Sequence, residues 1–525
     1  MPESSPSRAA LFSLYDKTGA GELAAALDAR GIAIFATGGT RDFLAARGVR
    51  ARDVGDLTGF APLFGERVKT LHPSIFGGIL YDRGSAQQRD EAHRRGIPEI
   101  VAVVVNLYPF EATVARPGVT INEAIEQIDI GGVALVRAAA KNFASVSVLT
   151  HPAQYQESLA ALEGGESAHS LRRKFAVAAF ERTAEYDAAI SHYLATAGEV
   201  LPTELPGALA LTLPLVKRLR YGTNPQERAA FYLARPDRLP EQLGGKALSY
   251  NNLLDLDAAL RLLARAQAGA SFPSARESVV RAATIKHAVP CGVAQRRDTG
   301  AAVRESLAAD SVSAFGGIVA VDALVDADAA LEFREYFLEI VAAPEFEPEA
   351  LETLRKKKNL RIMRFAPSLP YELARELRLR SALGGVLAED DDPSAPAERW
   401  QVVSRRSPTD AEWQDLAFAW DVVRHVKSNG IVIVREQTTR GICAGQTNRV
   451  SAVQIAVARA GAAVRGSSCA SDGFFPFTDG IEAAIEGGCS AIIAPGGSIR
   501  DNEVIAAADR RNAALVFSSH RYFLH

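Results

Sequence analysis

The sequence predicts an α/β protein of several domains, opening on a parallel sheet with helices on both faces. Three features predict it. The chain has 525 residues, more than one hydrophobic core accommodates. Over the first 200 residues, short continuous apolar runs alternate with helical segments, the rhythm of βαβ units. Between 199 and 218, EVLPTELPGALALTLPLV carries three prolines and loses that rhythm, which marks a domain boundary.

LFSLYD (11–16) reads as the first strand and GELAAALDARG (21–31) as a helix closed by glycine. IAIFA (32–36) is the next strand, and a helix follows the glycines as far as Gly48. IVAVVVNLYPF (100–110) is the longest apolar stretch, too short for a bilayer and right for a buried parallel strand. VSVLT (146–150) is another. Beyond the boundary, VVRAATIKH, AFGGIVAV, GIVIVRE, AIIAPGG and ALVFSS are short strands among helices. A second break falls at the acidic AEDDDPSAPAERW (388–400). The expected organisation is a domain over 1–199, a linker over 200–218, and two lobes over 219–388 and 389–525. A faint likeness between SAFGGIVAV and SDGFFPFTDG hints that the lobes are duplicates.

Composition removes several function classes. Lys plus Arg number 59 against 62 for Asp plus Glu, a net charge of −3 that gives no support to a nucleic-acid surface. Cys291, Cys443, Cys469 and Cys489 show no C-x-x-C spacing and no nearby H-x-E, so neither zinc nor a disulfide framework is indicated. A reduced cytosolic protein with no membrane partner is expected, and MPESSPSRAALF does not read as a signal peptide.

Several stretches bear chemistry, each with a plainer reading beside it. ATGGT (36–40) joins a strand to a helix, where amides can face an anion, or where a tight turn suffices. ERVKTLHP (66–73) gathers Arg67, Lys69 and His72, an oxyanion or phosphate clamp or a solvated basic loop. Asn106 and Tyr108 end a buried strand, where ligands of α/β sheets collect. Thr120 and Glu123 have capping-box spacing, and Gly131-Gly132 then interrupts the helix beside Asp129. Asp129 and Lys141 are candidates for an acid–base pair, unless the glycines only let two helices pack. Arg220-Tyr221 suits an anionic, aromatic ligand, and Asn224-Pro225 reads equally as a turn.

In TIKHAVPCG (284–292), Lys286 and His287 would face opposite sides of a strand and can meet one ligand only where it ends, as Pro290 suggests. Histidine is the usual general base near neutral pH, and a neighbouring lysine supplies charge for an oxyanion. A solvated lysine beside a structural histidine is the plain alternative. APGGS (494–498) is a second cradle candidate, and FFPF offers aromatics for stacking or for core.

RVKTLHP, NLYPF, IDIGG…RAAAKN, RYGxNP, KH…PCG, SAFGG, VKSN, AGQ and DGFFPF…PGGSIRD occur here in one order along the whole chain. In that order they resemble the bifunctional family that joins AICAR transformylase to IMP cyclohydrolase. The resemblance implies a methylglyoxal-synthase-like N-terminal domain and two cytidine-deaminase-like α/β lobes without zinc. It implies formyl transfer from 10-formyltetrahydrofolate to AICAR, giving formyl-AICAR and reduced folate, and then dehydrative closure to IMP. By likeness, His287 is the base, Lys286 its charge partner, and Asn429 orients the nucleotide. Arg220, Tyr221, Gly316, Glu339, Arg449, Phe474, Asp479, Gly496, Gly497 and Arg521 resemble nucleotide or folate positions. In the N-terminal domain Lys141 resembles the proton-transfer residue, with Lys69, Tyr108 and Asp129 acting on the formyl carbon. Ser13, Lys17, Thr37, Gly38, Gly39, Thr40, Arg67, Thr70 and Asn106 resemble the nucleotide cradle. A homodimer and, in some relatives, a structural potassium ion belong to the same pattern.

The chain departs from that pattern at Tyr15, in TGFAPLFGER, at Phe76, at the glycines of VKSNG and SDGFFPF, and at Leu524. The N-terminal departures bear on nucleotide affinity more than on catalysis. The competing readings are a one-reaction enzyme with a nucleotide-binding N-terminal module, and a purine-nucleotide sensor.

Overall fold

The computed structural model describes residues 7–61, 63–64, 67–162, 165–196, 205–264, 279–390 and 398–525. The predicted linker therefore lies partly outside the described residues, as does most of the acidic break near 391–397. The chain divides into two units, Met1–Thr212 and Leu213–His525.

The first unit is a parallel sheet of β1 (Arg8–Leu14), β2 (Ala33–Ala36), β3 (Ala51–Asp53), β4 (Glu99–Asn106) and β5 (Ser147–Leu149), in the order β3-β2-β1-β4-β5. The order reverses between β1 and β4, the position where such sheets open a ligand crevice. β1 stops at Leu14, short of the predicted Asp16. The amides of Tyr15 and Asp16 leave the ladder and donate to Asn106 Oδ1, at 2.7 and 3.0 Å. The long helix Glu166–Thr196 packs on the same core through Phe175, Ala179 and Tyr186.

The second unit opens with the two-stranded β6 (Leu215–Leu219) and β7 (Ala229–Tyr232). It then builds a twelve-stranded sheet from two sets of six. The first set is β8 (Glu241–Gly244), β9 (Val280–Lys286), β10 (Val289–Arg296), β11 (Ile318–Val321), β12 (Ile340–Ala343) and β13 (Arg361–Arg364). After the hairpin β14 (Arg378–Ala382) and β15 (Gly385–Glu389) comes the second set: β16 (Trp400–Val402), β17 (Ile431–Arg435), β18 (Thr438–Cys443), β19 (Ser467–Ser471), β20 (Cys489–Pro495) and β21 (Ala514–Ser518). The order is β16-β21-β20-β19-β17-β18-β10-β9-β11-β12-β13-β8.

Each set repeats one plan: an antiparallel hairpin, three mutually parallel strands beside it, and a first strand folded back on the last. The sets meet antiparallel at β10 and β18, so the carboxyl ends of their parallel strands point opposite ways. The duplication hinted at in sequence is real in topology, but its marker was misplaced. SAFGG precedes β11, whereas SDGFFPF begins at the end of β19.

The break near 388 does not separate two cores. One cluster takes Ile285, Ile318 and Met363 from the first set with Val434, Ile493 and Val516 from the second. The helices Tyr250–Leu263 and Asp410–Val423 cover that shared face. The opposite face keeps separate clusters, one around Val319 and Leu307 and one around Ile433 and Ile492. Strand alternation puts Ile318 and Val319 on different faces, which is why one face is shared and the other divided.

The Asp410–Val423 helix is tied down by Glu412. Its carboxylate accepts from Arg406 at 2.8 and 2.9 Å, from Ser490 Oγ at 2.5 Å and from the Thr409 amide at 2.8 Å. Those bonds outweigh burial and hold its pKa down at about 2, against an ordinary 4.5. A depressed carboxylate stabilises the fold above its unfolded value and loses that contribution as pH falls through the folded one. Glu412→Gln is therefore expected to cost about 3 kcal/mol near neutrality. In urea melts the gap from wild type closes as pH falls from 4.5 towards 2; a gap independent of pH would refute the assignment.

Candidate functional site

The N-terminal candidates collect at the carboxyl ends of β1, β2 and β4. After β2, the Gly38–Ala45 helix starts from an extended Thr37, and a Cβ built on Gly38 or Gly39 meets nothing within 4 Å. The two glycines thus leave room against a helix N-terminus. Thr37 Oγ1 lies 3.5 Å from Ser13 Oγ across the strand ends. Lys17 Nζ bonds the Tyr15 carbonyl at 3.2 Å, and Tyr15 itself is exposed.

Two cradle residues do another job. Thr40 Oγ1 is buried and exchanges bonds with the Leu14 amide and carbonyl. Asn106, besides taking the Tyr15 and Asp16 amides, donates to the Asp16 carbonyl at 2.6 Å. Both latch the loop after β1, so they shape the cradle by fixing its wall. Arg67 is ion-paired with Glu126.

Asp129 is the centre of this site. The Thr120–Glu123 capping box forms, but the glycine pair starts the Gly131–Lys141 helix instead of breaking one. Asp129 Oδ1 accepts the Gly132 amide at 2.7 Å. A Cβ on Gly132 would collide with that carboxylate, and one on Gly131 would come within 2.7 Å of Thr70 Oγ1. The glycines are therefore needed for close approach. Burial pushes the Asp129 carboxyl up, against the amides of Gly132 and Tyr108 and the charge of Lys69. Tyr186, fully buried, donates its hydroxyl to the Gln127 carbonyl at 2.7 Å and accepts the Asp129 amide at 2.9 Å. Burial raises its pKa to about 12, so the hydroxyl keeps its proton.

Lys141 does not join this cluster within the chain. It ends the eleven-residue helix that Asp129 precedes, and a rise of 1.5 Å per residue separates the two by about 16 Å.

In the second unit the candidates gather at one end of the large sheet. β9 ends at Lys286, whose Nζ bonds the Phe315 carbonyl at 2.7 Å beside Gly316. His287 and Ala288 form the two-residue turn, with φ of 55° and 57°. Pro290 lies inside β10 opposite Ile285, so the turn precedes the proline and does not depend on it. The Cys291 thiol packs against the Thr284 carbonyl, and burial raises its pKa to about 12, which suits packing and not nucleophilic chemistry. Asp255, unnoticed in sequence, accepts the Ala288 amide at 2.6 Å.

Asn429 enters the same end from the start of β17. Its Nδ2 donates to the Gln446 carbonyl at 2.9 Å, and its Oδ1 accepts from Arg449 at 2.5 Å. Arg449 also donates to Asp472 Oδ1 at 2.5 Å and Ser471 Oγ at 2.7 Å, and Asp472 is wholly buried. The glycine of SDGFFPF fits this network: a Cβ on Gly473 would lie 2.7 Å from Arg449 Nη2. Phe475 is core, while Phe474 and Phe477 are exposed. Asp479 Oδ1 accepts the Gly480 amide at 2.7 Å, at the start of the Thr478–Gly487 helix. Arg521 stacks over Phe523 at 4.7 Å. Glu339 pairs with Arg361 at 2.5 Å. The loop bearing Arg220 and Tyr221 is tied to this end through Asn251 and the Thr223 carbonyl, and Asn224 makes a turn with Glu227.

The second cradle does not survive. The amides of Gly497 and Ser498 are taken by Asp501 at 2.7 and 3.1 Å, so they are already engaged within the chain. Gly496 remains as a close-packing glycine against Phe517. Among the described residues no group of three His, Cys, Asp or Glu is placed to hold a metal, and no helix is long and apolar enough to cross a membrane.

Comparison with known proteins gives these two sites a family. A family model described as the AICARFT/IMPCHase bienzyme matches residues 139–459, and one described as an MGS-like domain matches 19–134. "Bifunctional purine biosynthesis protein PurH" of Chloroflexus aurantiacus is 49% identical over 98% of both chains. The proteins of that name from Synechococcus elongatus and Myxococcus xanthus are 45% and 46% identical, covering 99% and 98% of this chain and all of their own. The chain belongs to the AICAR transformylase/IMP cyclohydrolase bienzyme family of purine biosynthesis, which formylates AICAR and closes the product to IMP.

Proposed function

We propose that the 1–199 domain closes the ring around Asp129 and that the 219–525 region transfers the formyl group around His287. The observation that supports the second assignment is the parting of the central strands. Among the described residues, β10 and β18 pair only at Ala294 and Thr438, away from the end where His287 and Asn429 emerge. His287 and Asn429 thus emerge beside the gap that opens where β10 and β18 stop pairing. In the transfer, the 5-amino nitrogen of AICAR attacks the formyl carbon of 10-formyltetrahydrofolate. His287 takes the proton that nitrogen loses, Lys286 offsets charge on the formyl oxygen, and the folate nitrogen leaves protonated. Asn429 and Arg449 hold the nucleotide side of the gap.

In the closure, the carboxamide nitrogen attacks the new formyl carbon and water leaves. Asp129 is the proton acceptor: its burial makes it a stronger base than an exposed carboxylate, and two backbone amides aim it. Lys69 supplies the positive charge that the forming hydroxyl needs. Asp129→Asn is expected to slow closure by about 100-fold while formyl transfer continues, so that formyl-AICAR accumulates. Wild-type IMP production by that variant would remove Asp129 from the chemistry. Given AICAR and 10-formyltetrahydrofolate, the wild-type protein releases tetrahydrofolate and IMP; formyl-AICAR without IMP would favour the one-reaction reading.

Each half of the large sheet, a hairpin flanked by parallel strands, supports the cytidine-deaminase-like lobes expected over 219–388 and 389–525. Asp472 Oδ2, buried with no hydrogen-bond partner, is an oxygen that a structural potassium ion would take. Such an ion would brace the ends of β19 and β17, and no chemical step passes through it. A homodimer agrees with the exposed Leu379, Leu383, Val386 and Leu387 of the β14–β15 hairpin. Four cysteines without disulfides agree with the cytosol.

A further inference from the structure

The two halves of the large sheet contain the same hairpin turn twice, and one of the two turns bears the residue proposed for formyl transfer. His287-Ala288 joins β9 to β10, and Glu436-Gln437 joins β17 to β18 at the opposite end of the sheet. All four residues have left-handed backbones, with φ of 55°, 57°, 56° and 50°. Two-residue hairpins of this kind favour Asn-Gly, because other residues resist positive φ by about 1–2 kcal/mol each. Both turns therefore need something outside themselves to hold them.

The same device supplies it in both places. Asp255 and Asp415 each stand sixth in their helices, Tyr250–Leu263 and Asp410–Val423. Asp415 accepts the Glu436 amide at 3.0 Å and the Gln437 amide at 2.7 Å. Asp255 accepts the Ala288 amide at 2.6 Å and faces the His287 amide and imidazole. On its other side the turn is held by Lys286 on the Phe315 carbonyl. The turn's two neighbours thus fix where the imidazole stands relative to the gap.

We infer that Asp255 is the positioning residue for His287: its carboxylate holds the strained turn so that the imidazole is presented to the formyl-transfer site. This rests on the role proposed for His287. Asp415 does the same for a turn without chemistry and provides an internal control, because its loss harms the fold in the same way and spares the site.

The test compares Asp255→Ala, Asp255→Asn, Asp415→Ala and His287→Ala in the full-length protein. Each is assayed for formyl transfer, for cyclisation of supplied formyl-AICAR and for its urea midpoint. Asp255→Ala and Asp415→Ala should shift the midpoint similarly and leave cyclisation unchanged. Asp255→Ala should lower kcat for formyl transfer by about 100-fold, the effect of misplacing a catalytic group by about 1 Å, with KM for AICAR little altered. Asp255→Asn, whose Oδ1 still accepts an amide, should recover most of that loss, and Asp415→Ala should keep wild-type kcat. If Asp255→Ala does not fold, Asp255→Asn near wild type against a slow Asp255→Glu, with its longer arm, carries the same test. Wild-type turnover in Asp255→Ala, equal loss in Asp415→Ala, or no recovery in Asp255→Asn overturns the positioning role. A His287→Ala variant that still transfers formyl groups overturns the reading of His287 itself. Loss in His287→Ala with wild-type turnover in Asp255→Ala overturns the positioning role alone.

Discussion

His287→Ala should lose formyl transfer by about 10²–10⁴-fold and still cyclise supplied formyl-AICAR at the wild-type rate. The AICAR amine is conjugated with its ring and is a poor nucleophile, so it needs a base as it attacks. His287 is the exposed imidazole at the parted end of the central strands. Removing it leaves the turn amide on Asp255 and the Lys286 contact in place, since neither uses the imidazole. The fold should therefore survive, and the loss should fall on kcat. The residues proposed for ring closure, around Asp129, lie in the other unit. Loss of both activities in a folded variant would contradict two separate sites.

Arg449→Met should destabilise the second unit by about 3–5 kcal/mol, the cost of stranding one partner of a buried ion pair. Arg449 is 8% exposed and Asp472 not at all, so solvent cannot take over the stranded charge. The substitution keeps much of the side chain's volume but removes the donors to Asp472, Ser471 and Asn429. Adding Asp472→Asn to it should restore part of the loss, because the buried charge is then gone. Formyl transfer should not return in that double variant, since Asn429 Oδ1 still lacks its Arg449 donor. A midpoint shift worth less than about 1 kcal/mol would show that the pair is dispensable.

How much of this was legible in the sequence depended on distance along the chain. The strand after ATGGT's neighbour, β3, was missed because ARD is only three residues and carries no apolar run. The local turn chemistry of Thr120–Glu123 and Asn224–Pro225 was readable because both partners lie within a few residues. Tyr186 was not readable, since it reaches Asp129 from 57 residues away. Asp255 was hidden too: in LLDLDAAL it resembles the exposed face of a helix. The APGGS cradle misled because glycine next to a helix advertises free amides, and only the structure shows that Asp501 takes them. The twelve-stranded sheet was out of reach, as its seam joins residues 146 apart, such as Val293 and Thr439.

Pro290 acquires a meaning during synthesis. β8–β13 are synthesised before β17 and β18, so β10 can pair with β9 before the second set has left the ribosome. Until β18 arrives, β10 is an open edge, the kind of surface on which nascent chains aggregate. A proline there has no amide hydrogen to offer a stray strand, and edges are where sheets tolerate it. The residue that seemed to end a strand instead withholds one donor from that edge.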